Sequence, residues 1–233
     1  MAIIHAFEGN LDIACYYLIV ASALDFLDGF SARMLKVTGG IGKDLDSLSD
    51  MISFGLAPGL LLYQFVKLLQ TNHPVTLLQE HEWLMYLALI IPVFSSLRLA
   101  KFNNDTRQSN SFYGLPTPAN ANFFLFRILL YLFPDLPMLV DVYDFILPII
   151  SNPLVMLSFG VIFSFLLVAE IPMFALKFKS LKWSENKLPF TFILLWLLML
   201  AFTNLTAMPT IVVIYVAWSI IAHYFVTPKA NTI

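Results

Sequence analysis

The run LDIACYYLIVASALDFLDGFSARM, residues 11–34, decides how this chain is read. An uncharged apolar segment from Ile13 to Leu24 leads into Asp25 and Asp28, and the run closes on Arg33. About 20 such residues cross a bilayer as a helix. Acids in membrane-grade sequence are costly and mark a site. Two more follow in the next apolar stretch, Asp46 and Asp50.

The rest of the chain agrees with the membrane reading. Of 233 residues, 59% are hydrophobic and only 12% charged, and mean hydropathy is +0.81. A soluble domain carries about 25% charged residues. The composition predicts one all-α polytopic membrane domain over residues 1–233. No basic arm or basic-aromatic face suits nucleic acid. A lone Cys15 gives no disulfide framework. His5, His73, His81 and His223 lack metal-ligand spacing.

Breaks at Gly, Pro and charge clusters divide the chain into about seven full spans. They lie near 11–34, 45–70, 83–103, 116–134, 150–176, 188–205 and 208–226. Residues 135–149 read as an interfacial segment. Residues 1–7 are too short to span, carry no basic leader, and read as the last turns of a helix; with a complete helix there the count is eight. Residues 11–134 form the expected catalytic core, and 150–226 a C-terminal set of transmembrane helices.

All but two of the 13 Lys and Arg residues fall on alternate connections: around 33–43, 98–107 and 177–187, and in the tail at Lys229. The exceptions are Lys67, near a helix end, and Arg127, inside a span. The positive-inside rule then places those connections and the C-terminus in the cytoplasm.

Asp25 and Asp28 share a helix face near the cytoplasmic end of the first span, and Asp46 and Asp50 share one at the start of the next. At about 1.5 Å per residue, the first pair lies about 8–12 Å below Arg33. The second pair reaches a similar depth on an antiparallel neighbour, so the four carboxylates converge. One or two divalent cations would offset their repulsion. An all-oxygen donor set favours Mg²⁺ or Mn²⁺, or Ca²⁺. Gly29, Ala32 and Gly42 leave room for a flat group against the backbone, while Arg33 and Lys43 suit phosphate oxygens. Together these residues outline a nucleotide-diphosphate site at the cytoplasmic face.

The pattern Asp25-x2-Asp28-Gly29-x2-Ala32-Arg33-x8-Gly42-x3-Asp46-x3-Asp50 resembles the signature of the CDP-alcohol phosphatidyltransferases over residues 25–50. The resemblance implies transfer of a phosphatidyl group from a CDP-linked lipid to an alcohol with release of CMP, in a homodimer with a six-helix core per subunit. It assigns Asp25, Asp28 and Asp46 to metal, with Asp50 beside them as general base. Asp28, Gly29, Ala32, Arg33, Gly42 and Lys43 would line the CDP-lipid pocket.

The run from Gly42 to Gly59, with Arg98-Leu-Ala-Lys-Phe-Asn103 and Gly114-Leu-Pro-Thr-Pro-Ala119, is similar to the phosphatidylserine synthases of bacterial membranes. The implied substrates are CDP-diacylglycerol and L-serine, at the cytoplasmic face of a bacterial inner membrane. Lys101 stands where the resemblance leads one to expect Arg, and the N-terminus lacks the family's Pro-Asn start. Acceptor candidates are Arg98, Lys101, Asn103, Thr117 and Arg127. Arg127 lies too deep to snorkel easily, so a lipid phosphate, a substrate group or a buried acid is its expected partner. Two other readings stay open: the same chemistry on glycerol 3-phosphate or inositol phosphate, and a divalent-cation transporter. The latter suits acids at the membrane midplane better than acids near one face.

Overall fold

A computed structural model describes residues 1–35, 40–105, 112–133, 151–173, 187–203 and 206–221. The segment expected to lie at the interface, 135–149, falls outside them, as do the side chains of Ala32, Arg33 and Lys43. A short helix α1 (Ala2–Glu8) ends on Gly9, whose φ of 84° is the left-handed conformation that closes helices. It packs on α2 (Leu11–Leu35). α3 (Gly40–Asp50) continues through a π-helical segment, Met51–Leu56, into α4 (Ala57–Asn72). A short α5 (Thr76–Glu80) and a 3₁₀ segment, Glu82–Leu89, lead into α6 (Ile90–Asn104). Then come β1 (Phe112–Tyr113), α7 (Thr117–Leu132), α8 (Pro153–Val168), β2 (Pro172–Met173), α9 (Lys187–Thr203) and α10 (Ala207–Ile221).

Each expected span has a helix at its place. Leu11–Ser31, Asp44–Asn72 and Glu82–Asn104 are long and apolar enough to cross a membrane. Pro153–Val168, Pro189–Thr203 and Ala207–Ile221 are shorter apolar helices. The result is a membrane helix bundle. Large apolar side chains are exposed along α2, among them Tyr16, Val20, Leu24 and Phe30, while its other face buries Leu11, Ala14, Cys15 and Leu18. A helix apolar on every side belongs in lipid or a protein core.

One expected boundary is corrected. The span near 150–176 ends as a helix at Val168, with Ala169 already extended (φ −62°, ψ 142°). Pro172 has no N–H to give a helix, and it biases Ile171 away from helical backbone. The chain instead pairs β2 with β1, antiparallel, Phe112 opposite Met173 and Tyr113 opposite Pro172. Gly114 makes this clasp possible. Its φ is +80°, and an added Cβ would collide with the Leu167 carbonyl oxygen.

α4 is central, burying Leu61, Leu62, Phe65, Val66 and Leu69. In lipid, helices gain little from apolar burial alone, so close approach at small residues carries the packing. A Cβ at Gly59 would lie 2.7 Å from Pro92 Cδ, one at Gly160 2.7 Å from Leu62 Cδ2, and one at Gly55 3.0 Å from Ser95 Cβ. These three glycines bring α4 and the π segment against α6 and α8.

Candidate active site

The aspartates lie in the second half of α2 and the second half of α3, which ends on Asp50. On α2, a spacing of three puts Asp25 and Asp28 on one face; on α3, a spacing of four does the same for Asp46 and Asp50. Carboxylate oxygens of Asp25, Asp28 and Asp46 all lie within 4.8 Å of one another, so the group can hold a metal ion. The donor set, carboxylate oxygen throughout, suits a hard divalent cation. Asp50 is half-buried, and its carboxyl lies within hydrogen-bond reach of Asp25.

Two different kinds of glycine meet here. An added Cβ at Gly29 or Gly42 would meet nothing within 4 Å. Packing therefore does not require glycine at either position, unlike at Gly59 and Gly160. The open space beside both backbones is what a bound flat group needs.

α6 supplies the opposing wall. Arg98 is buried, 8% exposed, and close enough to Asp50 and Tyr215 for a charge interaction with each. Its guanidinium carbon lies 5.5 Å from the Phe102 ring centroid, and its Nε has no hydrogen-bond partner among the described residues. Asn103 Nδ2 donates to Ser47 Oγ at 2.8 Å, tying the end of α6 to the helix turn that carries Asp46. Lys101 is engaged elsewhere, with Nζ 3.1 Å from Glu170 Oε1 and 3.4 Å from the Val168 carbonyl oxygen. It thereby fastens α6 to the β2 side of the clasp.

Thr117 is fully buried at the start of α7, and its Oγ1 has no hydrogen-bond partner among the described residues. Arg127 is buried further along α7. It sits two residues past Leu125, whose carbonyl accepts from Cys15 Sγ at 3.8 Å. Cys15 precedes Asp25 by ten residues, about 15 Å along the helix.

Sequence reasoning missed Ser47, Glu170 and Tyr215, whose roles depend on long-range contacts. It also missed Ser95 and Asn120, both buried with side-chain polar atoms that have no hydrogen-bond partner among the described residues. Asn120 left a signal: Thr117, Asn120 and Arg127 are spaced i, i+3, i+10 and fall on one face of α7.

The CDP-alcohol phosphatidyltransferase family matches residues 1–166, and the chain belongs to it. It is thus an enzyme of CDP-linked phosphatidyl transfer in phospholipid biosynthesis. Among its relatives is the CDP-diacylglycerol–serine O-phosphatidyltransferase of Helicobacter pylori (strain ATCC 700392 / 26695), 30% identical over 233 residues, covering 98% of this chain and 87% of that protein. The archaetidylserine synthase of Methanothermobacter thermautotrophicus is 35% identical over 127 residues, 52% of this chain and 48% of that protein. The CDP-diacylglycerol–serine O-phosphatidyltransferase of Bacillus subtilis (strain 168) is 33% identical over 109 residues, 47% of this chain and 56% of that protein.

Proposed function

We propose that the chain transfers the phosphatidyl group of CDP-diacylglycerol to the hydroxyl of L-serine, forming phosphatidylserine and CMP. The observation that carries this is the convergence of Asp25, Asp28 and Asp46 within 4.8 Å, with Asp50 against Asp25 and the buried Arg98 beside Asp50. The serine hydroxyl attacks the β-phosphorus, the bond to the CMP oxygen breaks, and the hydroxyl proton passes to the Asp50 carboxylate. A positioned base of this kind contributes about 10²–10⁴-fold.

Asp25, Asp28 and Asp46, with Asp50 at the edge, would hold Mg²⁺ or Mn²⁺, two ions in the full site, which would supply charge neutralisation at the pyrophosphate and the departing CMP. Gly29, Ala32 and Gly42 admit the cytidine, with Asp28 alongside, and Arg33 and Lys43 take phosphate oxygens. Arg98 faces the serine carboxylate and keeps Asp50 oriented. Thr117 and Asn103 add polar contacts, Lys101 holds the wall through Glu170, and Arg127 braces the bundle below the pocket.

The protein works as a homodimer with about seven spans per subunit in a bacterial inner membrane. Its active site and C-terminus face the cytoplasm. Acceptors such as glycerol 3-phosphate or inositol phosphate carry an additional dianion and need more cations than Arg98 provides, Lys101 being held by Glu170. The deciding experiment is an acceptor screen on membranes containing the protein, reading CMP release from CDP-diacylglycerol. Release should require both Mg²⁺ or Mn²⁺ and L-serine. Equal release with glycerol 3-phosphate would sink the serine assignment.

A further inference from the structure

A second polar cavity, of about 460 Å³, lies between the last turns of α4, the 3₁₀ segment and the α1–α2 junction. That volume is in the range of ligand clefts, about 300–1,000 Å³. Lys67, in its lining, follows Asp50 by 17 residues on one continuous helix. This separation is about 25 Å, so the cavity sits at the opposite end of the bundle from the aspartates. Lys67 is also one of the two basic residues that the positive-inside pattern leaves unexplained.

The lining is organised around two tyrosines. Tyr63 and Tyr86 stack at 5.4 Å with an interplanar angle of 9°. Lys67 Nζ lies over the Tyr63 ring at 5.6 Å. Gln64 is committed, its Nε2 donating to the Phe7 carbonyl oxygen at 3.0 Å. Glu82 lines the same cavity, within electrostatic reach of Tyr63. The ion pairs among the described residues are His5–Glu8 and Lys101–Glu170. Lys67 and Glu82 therefore face one cavity without closing onto each other.

We propose that this cavity binds the headgroup of a phospholipid bearing a primary ammonium, with its phosphodiester on Lys67 and its ammonium on Glu82. One positive and one negative side chain held apart in one pocket are complementary to a zwitterion. A singly charged anion would leave Glu82 opposing it. Glu82 can accept hydrogen bonds from a primary ammonium, and a trimethylammonium has none to give. The ring face of Tyr63, where a quaternary ammonium would settle, is already covered by Lys67. The surroundings favour a lipid over a free headgroup: Tyr86, in the lining, is 59% exposed, and Trp83, next in sequence to Glu82, is 62% exposed. Such aromatic side chains mark the bilayer–water boundary.

The test uses the purified full chain, delipidated in detergent. It is titrated with phosphatidylethanolamine, phosphatidylcholine and phosphatidylglycerol of identical acyl chains, and bound lipid is counted by native mass spectrometry. Phosphatidylethanolamine should bind about fivefold more tightly than either of the others, the effect of one partly exposed ionic contact. Glu82→Gln should erase that preference, Lys67→Gln should weaken all three lipids, and CMP release should be unchanged in both. The exchanged pair Lys67→Glu with Glu82→Lys keeps both charges and should recover the preference, which separates loss of the site from loss of folding. Equal binding of the three lipids would overturn the proposal, as would a preference that survives Glu82→Gln. Displacement of the lipid by millimolar glycerophosphoethanolamine would overturn its lipid character. The lipid-binding readouts do not depend on the acceptor used at the aspartate end.

Discussion

Neutralising Asp28 should make the metal-free protein more stable and the metal-loaded protein less responsive. In the bundle, Asp25, Asp28 and Asp46 bring oxygens within 4.8 Å of one another. Two unit charges at 4.8 Å repel by about 3.5 kcal/mol at an effective dielectric of about 20. Asp28→Asn removes two of the three repulsions within this group. Asp28 and Asp46 are exposed, so solvent and salt reduce the net gain to about 1 kcal/mol. For a chain of this size that is an increase in Tm of about 2–4 °C in the metal-free state. With Mn²⁺ or Mg²⁺ the order reverses. The wild-type chain gains a ligand-linked shift that grows with metal concentration, and Asp28→Asn, one carboxylate short, gains far less. Thermal unfolding followed by intrinsic fluorescence, with chelator and then with titrated metal, reads both halves. A metal-free Asp28→Asn that melts below the wild type, or metal shifts equal in the two proteins, would refute the reasoning.

Other outcomes follow from the same geometry. Asp50→Asn should lower kcat by about 100-fold or more while leaving CDP-diacylglycerol binding nearly intact, because a general base is lost and the donor pocket is not; single-turnover CMP release alongside equilibrium binding checks this. Gly29→Ala and Gly59→Ala should move stability in opposite directions. The first removes a helical glycine facing open space and should gain about 0.5–1 kcal/mol, at the cost of weaker CDP-lipid binding. The second drives a Cβ to within 2.7 Å of Pro92 and should lose stability; paired melting curves decide. Glu170→Gln should cost less than about 1 kcal/mol, since the Lys101–Glu170 pair is largely solvated, and should leave the KM for serine unchanged. A large rise in that KM would return Lys101 to the acceptor pocket.

Much of this was legible in the chain. The four aspartates declare themselves because charge in apolar sequence has few structural excuses, and spacings of three and four fix which side chains share a helix face. Span positions follow from runs of apolar residues, which a bilayer demands locally. What the sequence hid depends on distant partners. Nothing near Val168 but Pro172 announces that the helix stops there, and the clasp to Phe112 depends on a segment about 60 residues away. Lys101 reads as a candidate site cation, and its pairing with Glu170 depends on a residue 69 positions away. Ser95 and Asn120 look like ordinary polar residues at helix positions; only burial without hydrogen-bond partners among the described residues marks them out. The glycines were the most ambiguous. Gly29 and Gly59 are the same letter, yet one faces open space and the other a proline ring.

The π-helical segment Met51–Leu56 begins one residue after Asp50. A π turn bonds i to i+5, one residue more than an α turn, and each residue of an α-helix advances the azimuth by about 100°. The segment thus works as a phase shifter between two parts of a single rod. The lower part is locked by Gly59 against Pro92, while the upper part carries Asp46 and Asp50 at an angle the lower part alone would not give. Closing residues 51–56 into α turns with none removed would leave an unbroken, equally apolar helix, but with both acids swung about a quarter turn away from Asp25 and Asp28; removing one residue at the same time would bring them back. The length of this one helix, counted to the single residue, is therefore part of the active site's aim.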